Sequence, residues 1–353
     1  MNLRFVAVLS VGVLCFAPPV HGDEPVSLKN FKAPAENKKD EPRAEKFSLE
    51  KAGHFIDSAA LAWTKSQGCF SCHSNLTYLY ARPHLADSAP AHSEVRAALE
   101  EMVSKRWKEK GPRWDAEVVV AAAALAYNDA ATTGKLHPLT RTALDRMWTI
   151  QTKDGGFSWY KCNLPPMEID DHYGVTLAAI ATGVAPEGYA KTDAAKKGLD
   201  GIRAWLKANP AQNLHHSAMM LWASSYVDGL LDAKAKKAAA KELLTMQLPD
   251  GGWSTASLGG WKRRDKAEQD PKTSDGYGTG LIVFVLRRAG IPASDPALQK
   301  GVAWLKSNQR ESGRWFTRSL SRDDTHYLTH AGSAFAVMAL AACEEKGTVG
   351  GAR

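Results

Sequence analysis

Between Leu49 and Cys343 apolar residues recur three and four positions apart, the period of a helix that buries one face. Phe55, Ala59, Ala62 and Trp63 share one such face, and Val95, Leu99, Met102, Val103 and Trp107 share another. Residues 118–127 are apolar almost throughout, which predicts a helix enclosed on every side. The series continues at 144–150, 175–180, 202–206, 218–226, 243–246, 281–286, 302–305 and 335–340. Strand-like alternation is scarce. The pattern therefore predicts an all-α chain of about twelve helices of ordinary length.

Repeats organise these helices. Gln151-Thr152-Lys153-Asp154-Gly155-Gly156-Phe157, Gln247-Leu248-Pro249-Asp250-Gly251-Gly252-Trp253 and Gln309-Arg310-Glu311-Ser312-Gly313-Arg314-Trp315 align. Each has Gln, a Gly four residues on, an aromatic six residues on, and an amphipathic helix before it. The Gly suits a helix C-terminus, where the backbone turns left-handed. Trp205-Leu206-Lys207 parallels Trp304-Leu305-Lys306, so a degenerate copy ends near Pro210. The following helix starts also repeat: Asp171-His172-Tyr173-Gly174 parallels Asp275-Gly276-Tyr277-Gly278, and Thr329-His330-Ala331-Gly332 holds the same place in the last copy. Asp at such a position reads as an N-cap.

The Gln-x3-Gly-x-aromatic repeats resemble the QW motifs of squalene-hopene cyclases and of the wider terpene-cyclase and protein-prenyltransferase superfamily. The resemblance covers about residues 137–343, and 47–136 fits as earlier, degenerate helix pairs. It implies one α/α toroid over residues 47–345, with inner and outer helices alternating and the Gln and Trp stapling helix ends. It also implies an isoprenoid or polycyclic lipid as ligand. Class II terpene cyclases carry Asp-x-Asp-Asp, whose middle Asp protonates an alkene or epoxide. Glu168-Ile169-Asp170-Asp171 resembles it, with Asp170 matching the proton donor beside Glu168 and Asp171, and with Glu where the family has Asp. The chemistry so implied is that of an isomerase or lyase. Asp171 also aligns with Asp275, which favours a helix cap. The Asp-rich magnesium-diphosphate segments of class I synthases and the zinc ligands of protein prenyltransferases are not evident.

Composition is that of a globular protein: 44% hydrophobic, 24% charged, and a net charge of +7 spread along the chain. Collagen-like and wholly disordered chains are excluded, and nothing in this balance argues for nucleic acid. The 11 Trp outnumber the 9 Tyr and 10 Phe, and the repeats account for several of them. Residues 1–22 read as a secretory signal peptide: Arg4, an apolar run over 5–17, then Val20-His21-Gly22 before Asp23. The expectation is an exported protein, periplasmic or secreted, without a membrane span in the mature chain. Residues 23–46, rich in Lys, Glu, Asp and Pro, read as a disordered charged linker, and 346–353 as a flexible tail.

Export changes the meaning of the cysteines. Cys69-Phe70-Ser71-Cys72-His73, at 69–73, is the C-x-x-C-H pattern of c-type haem attachment, with two thiols for the vinyl groups and His73 as an axial iron ligand. His84, His54, His92 and Met102 are the nearest candidates for a second ligand, His84 first. Two other readings stay open: a Cys69–Cys72 disulfide, or zinc held by Cys69, Cys72, His73 and His84. Haem would make the chain an electron-transfer protein with a redox partner, and a non-catalytic binding toroid is a third function. Cys343 reads as core and Cys162 as a loop thiol. Trp159, Tyr160, His172, Tyr173, His215, His216, Trp261, Tyr277, His326, Tyr327 and His330 all fall in loops or helix starts that would surround a toroid mouth. The basic run 262–266 reads as a solvated face, with diphosphate or anionic lipid as the alternative ligand.

Overall fold

The computed structural model describes residues 24–67, 70–85, 89–323 and 327–344. The signal-type segment 1–22, Cys69, His326 and the tail 346–353 lie outside the described residues. In chain order the helices are α1 (Leu49–Gln67), α2 (Asn75–Ala81), α3 (Pro90–Glu101), α4 (Trp107–Lys110), α5 (Asp115–Ala131), α6 (Pro138–Thr149) and α7 (Asp171–Val184). Then follow α8 (Asp193–Ala208), α9 (Leu214–Ala223), α10 (Ala233–Thr245), α11 (Gly276–Arg288), α12 (Pro296–Asn308) and α13 (Tyr327–Glu344). No strand forms among the described residues; two isolated bridges join Arg43 to Arg310 and Leu164 to Glu168.

The apolar pattern sorts these helices into two rings. α2, α5, α7, α9, α11 and α13 each pack on the next, and α13 packs back on α2. These inner helices are buried nearly all round: α5 is enclosed from Ala116 to Asp129, as its unbroken apolar run demands. α1, α3, α6, α8, α10 and α12 lie outside them and keep one polar face. The axis of the inner ring is filled by Tyr80, Tyr127, Trp222, Phe284 and Phe335, one from each of five inner helices. Their ring centroids lie 4.4 Å (Tyr80–Tyr127), 5.2 Å (Trp222–Phe284) and 5.9 Å (Trp222–Phe335) apart. This is the contact range of aromatic pairs, so the barrel interior is a packed core.

The repeats fasten the outer ring. Gln151 Nε2 donates to the Gly155 carbonyl of its own turn and to Gly198 in α8, each at 2.9 Å. Gln247 does the same to Gly251 and to Ala297 in α12. Gln309 bonds Gly313 at 3.1 Å and Ser48, just before α1, at 2.8 Å. The third junction joins the last outer helix to the first and closes the circle. Each turn needs its glycine: Gly155, Gly251 and Gly313 have φ of 89°, 91° and 90°. Trp253 and Trp315 donate their indole N–H to carbonyls ten residues earlier, Leu243 and Leu305.

Residues 24–46 differ from the expected disordered linker. They form a strap docked on the third repeat. Arg314, almost fully buried, bonds Glu41 at 2.5 Å and the carbonyls of Ala35 and Glu36 at 2.9 Å. Asn37 meets Thr317 and Thr329. The charges that suggested solvation are partners for a buried arginine on the ring.

Candidate functional site at the N-terminal end of the inner ring

The N-terminal ends of α2, α7, α9, α11 and α13 converge. Cys72 before α2 touches Glu168 before α7, Ser74 touches His330 of α13, and His215 of α9 bonds Tyr277 of α11. Converging helix N-termini favour negative charge, and this end holds Glu168, Asp170, Asp171 and Asp275. Three long connections, within 150–170, 246–275 and 309–323, run over it. Their described parts are knitted together: Tyr327 Oη donates to Pro165 O at 3.0 Å, Arg264 N to Ser321 O at 2.8 Å, and Gln269 Nε2 to Leu320 O at 3.0 Å. They form a lid.

Under the lid the acidic motif is divided. Residues alternate faces along an extended segment, and Glu168, Asp170 and Asp171 reach different partners. Glu168 accepts from the Cys72 thiol at 3.1 Å and also from Cys162. Burial raises its pKa, and the two thiols only partly offset that. Asp170 caps α7 through His172 N at 3.0 Å and accepts from His216 Nε2 at 3.0 Å. Burial opposes its ionisation, but the His216 bond and charge and the His172 N–H together hold its carboxyl below the usual value. Asp171 accepts from Trp159 N at 3.0 Å and Lys161 Nζ at 3.1 Å.

The motif's residues take separate roles, and one expectation, the cap, changes. Asp170, matched to the proton donor by resemblance, is a cap and a histidine partner held toward its anion, whereas Glu168 is the carboxyl held toward its acid. Asp171 is not the cap; Asp170 is. Asp171 does share a job with Asp275, since both accept the backbone N–H two residues after the repeat aromatic, at Trp159 and Thr255. Thr329 does it in the third copy, accepting from Thr317 N.

Around the carboxyls stand neutral imidazoles. Burial first, and neighbouring histidines second, lower His73, His172 and His215 from 6.5 to about 3. His172 lies flat on His216 with centroids 4.0 Å apart, and neither of its ring nitrogens has a partner among the described residues. His215 is sandwiched between Tyr173 and Tyr277. Trp159, Tyr160, Trp261 and Tyr327 complete the aromatic set anticipated at the mouth, but most of it is buried beneath the lid. In the basic run Arg263 is enclosed and paired with Asp265, Asp323 and the Ser319 carbonyl, so it is a lid fastener and not free to take a diphosphate.

The described residues at 70–73 are enclosed by protein in this structure. Cys72 is fully buried with its thiol on Glu168, and burial raises its pKa well above the ordinary thiol range. The His73 ring is wedged between Trp63 at 4.6 Å and Tyr327 at 5.7 Å, and its Nδ1 meets Ser74 Oγ at 3.1 Å. His84 lies at the far end of α2, about 10 Å of helix away. Among the described residues no group of three or more His, Cys, Asp or Glu is arranged to hold a metal, and Cys69 is not among them. Two links carried no sequence signal: Cys72 to Glu168, 96 positions apart, and Asp170 to His216, 46 apart.

The Squalene-hopene cyclase C-terminal domain family matches residues 273–352, the stretch that holds α11, α12, the third repeat and α13. A terpene cyclase–glycosyl transferase fusion protein from Humicola fuscoatra is 40% identical over 81 residues, which is 22% of this chain and 6% of that protein. Among solved structures the chain is similar to ent-copalyl diphosphate synthase from Streptomyces platensis, with TM-score 0.50 and 17% identity over 76% of this chain and 50% of that one. It is also similar to a type II terpene cyclase from Scytonema, with TM-score 0.49 and 12% identity over 83% of this chain and 98% of that one. The chain thus spans half of the solved synthase and a small fraction of the curated relative. The fold is the all-α, squalene cyclase-like α/α toroid. No helix among the described residues is long and apolar enough to cross a membrane.

Proposed function

We propose that this toroid binds an isoprenoid or polycyclic lipid at the lidded end of the inner ring and acts on it by proton transfer, with Glu168 as the acid. The aromatic filling leaves no room for a ligand along the axis. The observation that carries the reading is the buried Glu168 carboxyl, pushed toward its protonated form by burial, with Tyr173 and Tyr327 near it. Protonating an alkene or epoxide needs a carboxylic acid that is neutral before it reacts, and burial pushes Glu168 in that direction. The aromatic faces around it suit a carbocation. Asp170 has a positioning role: it fixes the start of α7 and orients His216, on which His172 rests. The squalene-hopene cyclase match over α11–α13 supports the substrate class. The signal-type segment 1–22 supports action outside the cytoplasm.

The test is incubation of the protein with squalene and shorter polyprenyl substrates, followed by mass spectrometry of the products. Wild type gives cyclised products. Glu168→Gln gives none, while Asp170→Asn retains part of the activity. Activity falls as pH rises through the raised Glu168 pKa, since the acid form is the competent one. No product from wild type sinks the reading; loss in Asp170→Asn with retention in Glu168→Gln moves the acid to Asp170.

A further inference from the structure

Glu168 is the acceptor for two thiols that come from distant parts of the chain. Cys72 is fixed and fully buried just before α2. Cys162 is exposed, on the connection that carries Glu168 itself, and both thiols are free. Leu164 and Glu168 exchange backbone hydrogen bonds at 3.3 and 3.0 Å, so this short connection folds back on itself and brings Cys162 to the Glu168 carboxyl. Two sulfurs that each contact one carboxylate lie within about 8 Å of each other. Bond formation then needs side-chain rotation and movement of the exposed loop toward the fixed Cys72.

We propose that Cys72 and Cys162 are a redox pair whose disulfide ties the lid to the start of α2 and leaves Glu168 as an acid without its thiol donors. The oxidant is a small-molecule or protein disulfide. The exposed Cys162 thiolate attacks it first, forming a mixed disulfide and releasing one thiol. The Cys72 thiol then loses its proton to solvent as the lid moves and attacks the Cys162 sulfur, releasing the second thiol. Two protein thiols are oxidised and one external disulfide is reduced to two thiols, so atoms and electrons balance. Removing both thiol donors from Glu168 leaves burial unopposed and strengthens its hold on the proton. The bond stands independently of the lipid reading; its consequence for the acid rests on that reading.

The experiment treats the full chain with oxidised glutathione and maps it by non-reducing peptide mass spectrometry. The expected result is a Cys72–Cys162 linked peptide that a reductant removes, with both thiols lost together to alkylation. Infrared difference spectra between the oxidised and reduced protein show a shifted carboxylic acid band, and Glu168→Gln abolishes that shift while the disulfide still forms. A Cys69–Cys72 peptide as the product, or Cys162 capped by glutathione with Cys72 still free, overturns the proposal. Because the linkage is read on unmodified protein, a variant that fails to fold does not blur the outcome. Cyclase assays on the two redox forms report on the lipid reading separately, since the peptide map does not depend on turnover.

Discussion

Asp275 and Asp170 both cap inner helices, yet their surroundings drive them in opposite directions. Asp275 accepts from Thr255 N at 2.7 Å and Gly278 N at 2.8 Å, but burial outweighs these bonds and raises its pKa to about 6. Its contribution to stability is therefore full below the ordinary carboxyl value of 3.8 and is lost as pH rises through about 6. Asp275→Asn should flatten the pH dependence of thermal unfolding between those two values, at the cost of one accepted hydrogen bond at every pH. An unchanged slope would show that Asp275 is not the group responsible. The acidic motif shows the limit of reading at this scale. Four adjacent letters suggest one cluster, but side-chain direction on an extended segment separates Glu168 from Asp170, and only packing reveals that burial pushes Glu168 up while His216 holds Asp170 down.

At the scale of elements, the junctions were the most legible feature. Gln, Gly and aromatic at fixed spacing predict a turn with a left-handed glycine, and all three turns have one. What spacing does not reveal is the second partner of each Gln, a carbonyl 47, 50 or 261 residues away. Gln309→Ala removes bonds to Gly313 O, Ser48 O and Ser48 N. It should cost about 2–3 kcal/mol and lower Tm by several degrees in a thermal melt. Gly313→Ala should be worse, because a Cβ would overlap the Lys51 carbonyl and the backbone there is left-handed. Equal stability of both variants and wild type would mean that the junction does not hold the ring. The strap over 24–46 was missed for a physical reason: its charges and prolines look solvated until a buried arginine supplied by the third repeat is known.

For the whole molecule, that strap predicts an asymmetry. Glu41→Ala leaves Arg314 buried without its carboxylate and should destabilise the toroid by about 3–5 kcal/mol. Adding Arg314→Met should recover much of the loss, since it removes the stranded charge. Chemical denaturation of the two variants checks this, and a double variant no better than Glu41→Ala would refute it. The fold class and the helix alternation were legible, because they depend on periodicity and repeats. Packing decided the filled axis, the lid and the partner of each carboxyl.

The junction from Gln309 to Ser48 has a consequence for how such a ring can be encoded. It uses the same donor atoms and the same kind of acceptor as the junctions inside the chain, and Glu344 at the end of α13 lies 3.7 Å from Lys306 of α12. The start of α1 and the end of α13 therefore both reach α12. What the junctions specify is a cyclic order of neighbours, with no privileged first helix. A gene opened at another connection, with α13 joined to α1 by a short linker, would write the same circle from a different starting point.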